Sequence, residues 1–308
     1  MKIKSNIHIK SFLLIGLVCL AITSKAQEQE KTSDIRLSVS GEMGFGDKTG
    51  FVSDDGNAEM KSLQNNNLML TIEGVFARSR KMESSILLGF GYSFMTFKAD
   101  YASPMYSITT NQDVDGDTYV RQYNNLTLSQ EAKGGSFMVS LAFRERLKVR
   151  KGFNLYGDLG VNGMISPSLN LEKSDGLTKV SGRYSQYEDI TFDDEWGYNG
   201  FGYEDLAKAN VIKKVGVNSF VPIAFVRLGA ELEISKGCNL SFGATYQKGL
   251  NNLIKYDNGN GTLTPSNAIV FNTIDGMKST ENVRSIMSTY NKSKFSGFMF
   301  NVGLSVCF

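Results

Sequence analysis

The densest group of side chains that could perform chemistry lies between positions 188 and 205. Seven acidic residues stand there with no lysine or arginine, and five aromatic residues are interleaved with them. Aromatic faces stack on sugars and peptides, while carboxylates accept hydroxyl hydrogen bonds or bind calcium. We therefore predict a ligand-binding site formed by Asp193, Asp194, Glu195, Trp196, Tyr198 and Tyr203. The alternative is that the aromatic residues only pack this loop into a cap, with the acids in solvent.

A second acidic group could assist the first one. Asp113, Asp115 and Asp117 take alternate positions beside Gly116, as the first ligands of a calcium loop do. The twelfth position of such a loop should hold a bidentate glutamate, but here it is Asn124. Calcium is thus the one cofactor that the sequence suggests, and a solvated turn is the alternative.

Catalysis is not indicated by the remaining residue types. General-base chemistry most often uses histidine, and the single histidine of the chain is His8, near the N-terminus. We therefore expect no enzymatic activity.

The first 26 residues have the pattern of a signal peptide. Lysines precede an apolar run from residue 12 to residue 22, and Ser24-Lys25-Ala26 supplies small residues before a cleavage site. Removing this segment, which contains four lysines and no acid, changes the formal charge from +2 to −2. A mildly acidic chain without a basic cluster in its sequence gives no reason to expect nucleic acid as a partner. We assign residues 1–26 to a cleaved signal peptide, 27–32 to a short tail and 33–308 to one domain.

The elements that must carry these groups are strands. In residues 296–308, Phe298, Phe300, Val302, Leu304, Val306 and Phe308 alternate with small or polar residues. This period of two places all the apolar side chains on one face. A strand of about 9–11 residues can cross a bilayer when tilted. A lipid-crossing strand is therefore predicted, with the last strand of a soluble sandwich as the alternative.

Seven further segments alternate in the same way, at residues 35–45, 68–76, 86–94, 137–144, 154–165, 220–234 and 240–247. Their connections alternate in length, at about 20, 5, 35, 5, 50, 4 and 46 residues, as in outer-membrane barrels with short periplasmic turns and long outer loops. The predicted fold is an all-β, eight-stranded antiparallel up-and-down transmembrane β-barrel. Ten or twelve strands are the alternative if the long loops hide strands, for example at 253–256 and 262–264.

Six charged residues fall on the inward face of this register. They are Glu42, Glu73, Arg144, Asp158, Arg227 and Glu231. An eight-stranded barrel encloses a lumen just wide enough for side chains. We predict that these residues form ion pairs across the lumen, and the alternative is a narrow polar path.

The pattern as a whole resembles the small outer-membrane β-barrels of the OmpA/OmpX type, and more closely the outer-membrane β-barrel proteins of the porin family in Gram-negative bacteria. The resemblance is carried by the alternation, by Phe308 at the end and by residues 220–223 at a strand start. It implies a location in the bacterial outer membrane, contact with outer-membrane lipid, and recognition of the C-terminal strand by the barrel-insertion machinery. It also implies a non-enzymatic barrel whose surface loops bind an extracellular ligand, a surface polymer or a partner protein. The alternative function is a channel for small solutes.

Overall fold

A computed structural model describes residues 35–46, 51–53, 58–112, 116–187, 190–192, 202–205, 214–255, 269–274, 277–283 and 290–308. Eight long strands dominate these ranges: β1 (Ile35–Gly46), β2 (Ala58–Arg78), β3 (Met82–Gln112), β4 (Thr118–Arg150), β5 (Phe153–Tyr184), β6 (Phe220–Ser235), β7 (Cys238–Gly249) and β8 (Ser296–Cys307). No helix in these ranges is long and apolar enough to cross a membrane.

The eight strands form a closed antiparallel ring. Each of β1 to β5 pairs with the next strand along the chain, and so do β6 and β7. The ring closes because β8 pairs with β1, where Cys307 lies opposite Arg36, and because β6 pairs with β5, where Phe220 lies opposite Ile165. The predicted eight-stranded barrel, and with it the resemblance to small outer-membrane barrels at the level of the fold, is confirmed.

Several short strands lie outside the ring. Ile190–Phe192, Gly202–Asp205 and Lys214–Val215 pair with β5, Phe51–Ser53 pairs with Tyr290–Ser293, and Ile269–Ile274 pairs with Met277–Val283. A 3₁₀ turn spans Ser185–Tyr187. Of the extra strands considered for a larger ring, residue 254 makes only a single bridge, to Val217, and 262–264 lie outside the described residues. None of the described short strands is a member of the ring of eight.

One end of the barrel, here called the short-turn end, carries three tight turns at the positions that the sequence predicts. They connect β2 to β3 through residues 79–81, β4 to β5 through 151–152 and β6 to β7 through 236–237. Gly152 and Gly237 have φ angles of +74° and +76°, which glycine adopts without steric cost. The chain can therefore reverse within two residues and keep both strands paired.

The predicted loop of about 35 residues between the third and fourth strands is wrong. β3 and β4 remain paired up to Gln112 and Thr118, so only residues 113–117 connect them. Residues 95–112 of β3 correspond to about 60 Å of extended strand at about 3.3 Å per residue. This sheet of β3, β4 and β5 is a long projection away from the short-turn end.

The loop prediction fails because the apolar side chains change from the outward to the inward face along the strand. In the part of the barrel nearest the short-turn end the outward side chains are apolar and exposed, among them Phe90, Leu141, Leu159, Leu228 and Phe300. Further along β3 the inward residues Met95, Phe97, Ala99 and Tyr101 are buried and apolar, whereas Lys98 is on the outside. Alternation on the outward face therefore stops near residue 94, although the strand continues.

A row of aromatic side chains on neighbouring strands, here called the aromatic ring, marks the level at which the apolar face reverses. Phe45, Phe298 and Tyr246 lie opposite one another on β1, β8 and β7, and the Tyr246 and Phe298 ring centroids are 5.0 Å apart. Tyr92 and Phe137 pair in the same way on β3 and β4, at 5.4 Å. Aromatic side chains concentrate where hydrocarbon meets water. The exposed apolar surface between this ring and the short-turn end, here called the belt, is thus the lipid-facing surface.

A charge in the middle of the belt should destabilise the barrel. Leu228, which is 67% exposed, lies at the centre of the lipid face of β6. Leu228→Arg should cost about 2–4 kcal/mol, because arginine at the bilayer midplane is poorly solvated. Urea unfolding in lipid vesicles measures the loss. Thr127→Arg, on the exposed face of the projecting sheet, is the matched control and should leave the unfolding midpoint unchanged; equal effects of the two variants would contradict a lipid contact at Leu228.

Candidate functional site

The structure brings all six charged residues predicted for the lumen into one buried group. Arg144 binds Asp158 with two parallel hydrogen bonds, Nε to Oδ1 at 2.6 Å and Nη2 to Oδ2 at 2.9 Å. The same guanidinium reaches Glu231 at 3.1 Å and Glu73 at 3.4 Å. Arg227 bridges Asp158, at 3.4 Å, and Glu42. These side chains join β1, β2, β4, β5 and β6 across the lumen.

Sequence reasoning missed a second arginine that, like Arg144, binds three carboxylates. Arg146 is 2% exposed and binds Glu231 at 2.6 Å, Glu73 at 2.8 Å and also Glu83. Arg36 completes this end of the group, at 3.0 Å from Glu73 and 2.5 Å from Glu83. The signal was available, because Arg146 stands two positions after Arg144 and so shares its inward face.

The opposite charges in this group balance. Five carboxylates, of Glu42, Glu73, Glu83, Asp158 and Glu231, meet five guanidinium groups, of Arg36, Arg78, Arg144, Arg146 and Arg227. Neutral polar groups satisfy further oxygens: Ser85 donates to Glu73 at 2.8 Å and Asn67 to Glu42 at 2.8 Å. Burial of charge is tolerated only with such pairing. The group, here called the lumen network, is thus a plug in which the formal charges balance.

A small cavity lies beside the lumen network. A cavity of about 20 Å³ is lined by Ser40, Glu42, Met69, Thr71, Leu87, Ser140, Ala142, Asp158, Asn162, Phe225 and Arg227. A water molecule requires roughly 10–15 Å³ by the same measure. The cavity therefore accommodates about one water, and solutes larger than water do not fit.

A second closure lies beyond the aromatic ring. There the barrel is filled by a buried apolar core that includes Met95, Phe97, Leu169, Val221, Ile223, Leu253, Tyr290 and Phe295. The strand pair formed by Phe51–Ser53 and Tyr290–Ser293 contributes to it, since the Phe51 ring packs edge-on against Phe97 at 5.9 Å and Tyr290 at 5.8 Å. The lumen is thus blocked by charge pairs within the belt and by apolar packing above it.

The far end of the projecting sheet carries an aromatic group, here called the tip cluster. Tyr184 lies at its centre, stacked on Tyr119 at 5.1 Å and edge-on to Phe192 at 5.5 Å. Tyr187 lies 6.0 Å from Tyr184, and its hydroxyl donates a hydrogen bond to the carboxylate of Asp117. Tyr119 and Tyr184 are buried, whereas Tyr187 and Phe192 are each 47% exposed. The cluster joins the two acidic segments singled out in the sequence.

The predicted loop residues are only partly placed. Asp117 belongs to the tip cluster, and Tyr203 lies opposite Lys179 in the pairing with β5. Asp113, Asp115, Asp193, Asp194, Glu195, Trp196 and Tyr198 lie outside the described residues. The flanking residues Phe192 and Gly202 pair with Gly182 and Val180, so both ends of the 193–201 segment are anchored on the same strand. Calcium binding and ligand binding by these residues stay predictions. In the described ranges no three His, Cys, Asp or Glu side chains converge as a metal site.

Comparisons with known proteins give structural similarities alone. No family model matches the chain, and no curated protein matches its sequence. Neisserial surface protein A is 10% identical, with a TM-score of 0.34, and the match covers 91% of this chain and 100% of that one. Ail, the attachment invasion locus protein of Yersinia pestis, is 9% identical with a TM-score of 0.27, and the match covers 90% of this chain and 100% of that one. The outer membrane protease OmpT from Escherichia coli is 10% identical with a TM-score of 0.33, and the match covers 92% of this chain and 100% of that one.

Loss of Arg146 should destabilise the barrel more than the loss of any surface cation. Arg146→Met keeps most of the volume but leaves Glu73, Glu83 and Glu231 short of one positive charge. Leaving a buried charge unpaired costs about 3–5 kcal/mol. The free energy of unfolding in lipid vesicles, followed by circular dichroism in urea, should fall by this amount.

The matched control for this variant is Lys133→Met. Lys133 pairs with Glu131 at 2.9 Å, but its side chain is half-exposed. An exposed pair contributes less than about 1 kcal/mol. A loss as small for Arg146→Met as for Lys133→Met would show that the lumen network does not stabilise the barrel.

Proposed function

We propose that the protein is a non-enzymatic barrel of the bacterial outer membrane, exported through a cleaved signal peptide, that presents a binding surface for a ligand, a surface polymer or a partner protein. The belt supports the location, because an exposed apolar band bounded by aromatic side chains matches the hydrocarbon layer. Short turns face the periplasm in such barrels. The projecting sheet then extends from the cell, while the belt contacts lipid and the last strand is recognised by the insertion machinery.

The observation that carries this proposal is the double closure of the lumen. Transport of small solutes requires a continuous water-filled path, but the described residues place the lumen network and an apolar core in series along the axis. A cavity for about one water supports the same conclusion. The barrel therefore acts as a rigid support and not as a channel.

The tip cluster is the surface that this support presents. Binding residues are commonly held at the ends of rigid strands. Tyr187 and Phe192 expose aromatic surface on a base formed by Tyr119 and Tyr184, and Asp117 supplies a carboxylate beside them. Aromatic faces next to carboxylates suit a sugar polymer or a peptide with hydroxyl and amide groups. This surface is extended by Asp193, Asp194, Glu195, Trp196, Tyr198 and Tyr203. A calcium ion that assists ligand binding is bound by Asp113, Asp115 and Asp117.

The closed lumen predicts that the protein does not conduct. After incorporation into planar lipid bilayers, the folded barrel should give no single-channel steps under an applied voltage, because an ion would have to displace paired charges and apolar core together. An open porin in the same bilayer is the positive control. Regular steps from the pure folded barrel would support the channel alternative.

The tip cluster predicts which residues bind. Folded protein in detergent is applied to arrays of bacterial and host glycans and of peptides, in calcium and again in a chelator. Replacing Tyr187 and Phe192 with Ser should weaken any wild-type signal roughly tenfold, since each aromatic contact contributes about 0.5–1.5 kcal/mol. Calcium dependence of the signal would support the cation role of the aspartates.

The matched control removes an exposed apolar side chain far from the tip. Leu250 follows β7 at the mouth of the barrel and is exposed, so Leu250→Ser should leave the array signal intact. Both variants must keep the heat-modifiable gel mobility of a folded barrel. Binding that survives the double variant would exclude the tip cluster as the site.

A further inference from the structure

The turns of the short-turn end carry an unusual charge. Residues 79–81, 148–152 and 235–237 contain six cations and no carboxylate: Arg80, Lys81, Lys148, Arg150, Lys151 and Lys236. Five are exposed and Lys148 is half-buried. None of them has an ion-pair partner among the residues that the structure describes. These six side chains are here called the basic arc.

The ring of strands gathers the basic arc from distant parts of the sequence. The Lys148 N–H donates to the Lys81 carbonyl at 2.8 Å, so the turn after β2 lies directly beside the turn after β4. The Glu233 N–H donates to the Gly152 carbonyl at 2.8 Å and places the end of β6 next to them. Neighbouring strands are about 4.8 Å apart, and charges on adjacent turns thus lie within about one Debye length, 8–10 Å. The cations act as one patch.

The carboxylates nearby do not neutralise this patch. Glu83 is buried and bound by Arg36, Arg78 and Arg146, and Glu145 accepts a hydrogen bond from Ser84 at 2.7 Å. Glu233 is the exposed carboxylate next to Gly152. Neither Glu145 nor Glu233 has an ion-pair partner among the described residues, so two acids against six cations leave a net positive charge at this end.

Three surface lysines of the projecting sheet, Lys61, Lys98 and Lys133, differ from the basic arc because they have partners. Lys61 binds Glu59 at 2.6 Å, while Lys98 and Lys133 bind Glu131 at 3.4 and 2.9 Å. The hydrogen bond from Lys133 lowers the pKa of the Glu131 carboxyl. These three lysines therefore serve as compensated controls for the basic arc.

The basic arc directly adjoins the lipid-facing belt. Phe76, Met82 and Ile234 are exposed apolar residues close to the three segments that carry the basic arc, and the exposed Val149 lies within one of them. Long cationic side chains at the edge of such a surface keep their stems in the apolar layer and their charges at the level of the lipid headgroups. The groups that lie at that level and complement six cations are lipid phosphates.

We infer that the basic arc binds the headgroup phosphates of anionic phospholipids in the leaflet at the short-turn end. Arginine and lysine are the usual phosphate-binding side chains, and arginine binds phosphate oxygens with two hydrogen bonds at once. The arc fixes the depth of the barrel and concentrates anionic lipid around it. This inference rests on the proposed membrane location.

The test measures lipid selectivity at the perimeter of the folded barrel. Wild type is reconstituted in phosphatidylcholine vesicles with spin-labelled phosphatidylglycerol or spin-labelled phosphatidylcholine, and the immobilised fraction of each label gives their relative association. We expect a preference of about fivefold for phosphatidylglycerol, the factor for one cation near an anionic surface. The preference should fall to about one in molar salt.

A variant carrying R80Q, K81Q, R150Q, K151Q and K236Q should lose the preference while it keeps heat-modifiable mobility. A control carrying K61Q, K98Q and K133Q should retain it. Absence of a preference in wild type, or its persistence in the variant with five substitutions, would overturn the inference. Failure of wild type to enter the vesicles at all would overturn the proposed membrane location, which is a separate result from entry without selectivity.

Discussion

The closed hydrogen-bonded ring is the constraint on which the other features depend. Hydrocarbon offers no partner for a backbone N–H or carbonyl, so a lipid-exposed strand must be paired on both edges. The pairing of β8 with β1 and of β5 with β6 supplies the last two edges. With the backbone satisfied in this way, the outward side chains are free to be apolar and the inward ones to be charged. The belt and the lumen network are the two results.

The same strands cross two environments of opposite polarity. Within the belt the lipid lies outside, and the interior holds Arg144, Arg146 and their carboxylates. Beyond the aromatic ring water lies outside, and Phe97 and Tyr101 fill the interior instead. Each strand keeps its period of two, but the apolar side moves from one face to the other. The projecting sheet is thus a water-exposed structure with a conventional core, continuous with the membrane barrel.

This arrangement leaves the two ends of the barrel as the surfaces available for interaction. The tip cluster is held on paired strands far from the belt, with aromatic surface from Tyr187 and Phe192 and a carboxylate from Asp117. The short-turn end holds the basic arc beside the lipid. Among the described residues, the lumen network and the apolar core lie between these two ends. A rigid support with two chemically different ends agrees with anchorage at one end and binding at the other.

The sequence by itself determined the ring of eight strands, its short turns and the inward position of six charged residues. These features depend on a period of two and on glycines at positions 152 and 237, and both are local properties. The inward position of charged residues such as Glu73 and Arg144 was predictable because residues two apart on a strand lie on the same face.

Only the tertiary structure decided which side chains meet. Arg146 lies beyond the end of the predicted fourth segment, although the pairing of β4 with β3 and β5 keeps it inside the barrel. The sequence predicts a loop after residue 94 because the outward residues Thr96, Lys98 and Asp100 are polar, as a strand above the lipid requires. The contact of Tyr187 with Asp117 and the meeting of Lys81 with Lys148 depend on strand register across about 70 residues of chain. Long-range register is fixed by the closed ring, and no local pattern of residue types specifies it.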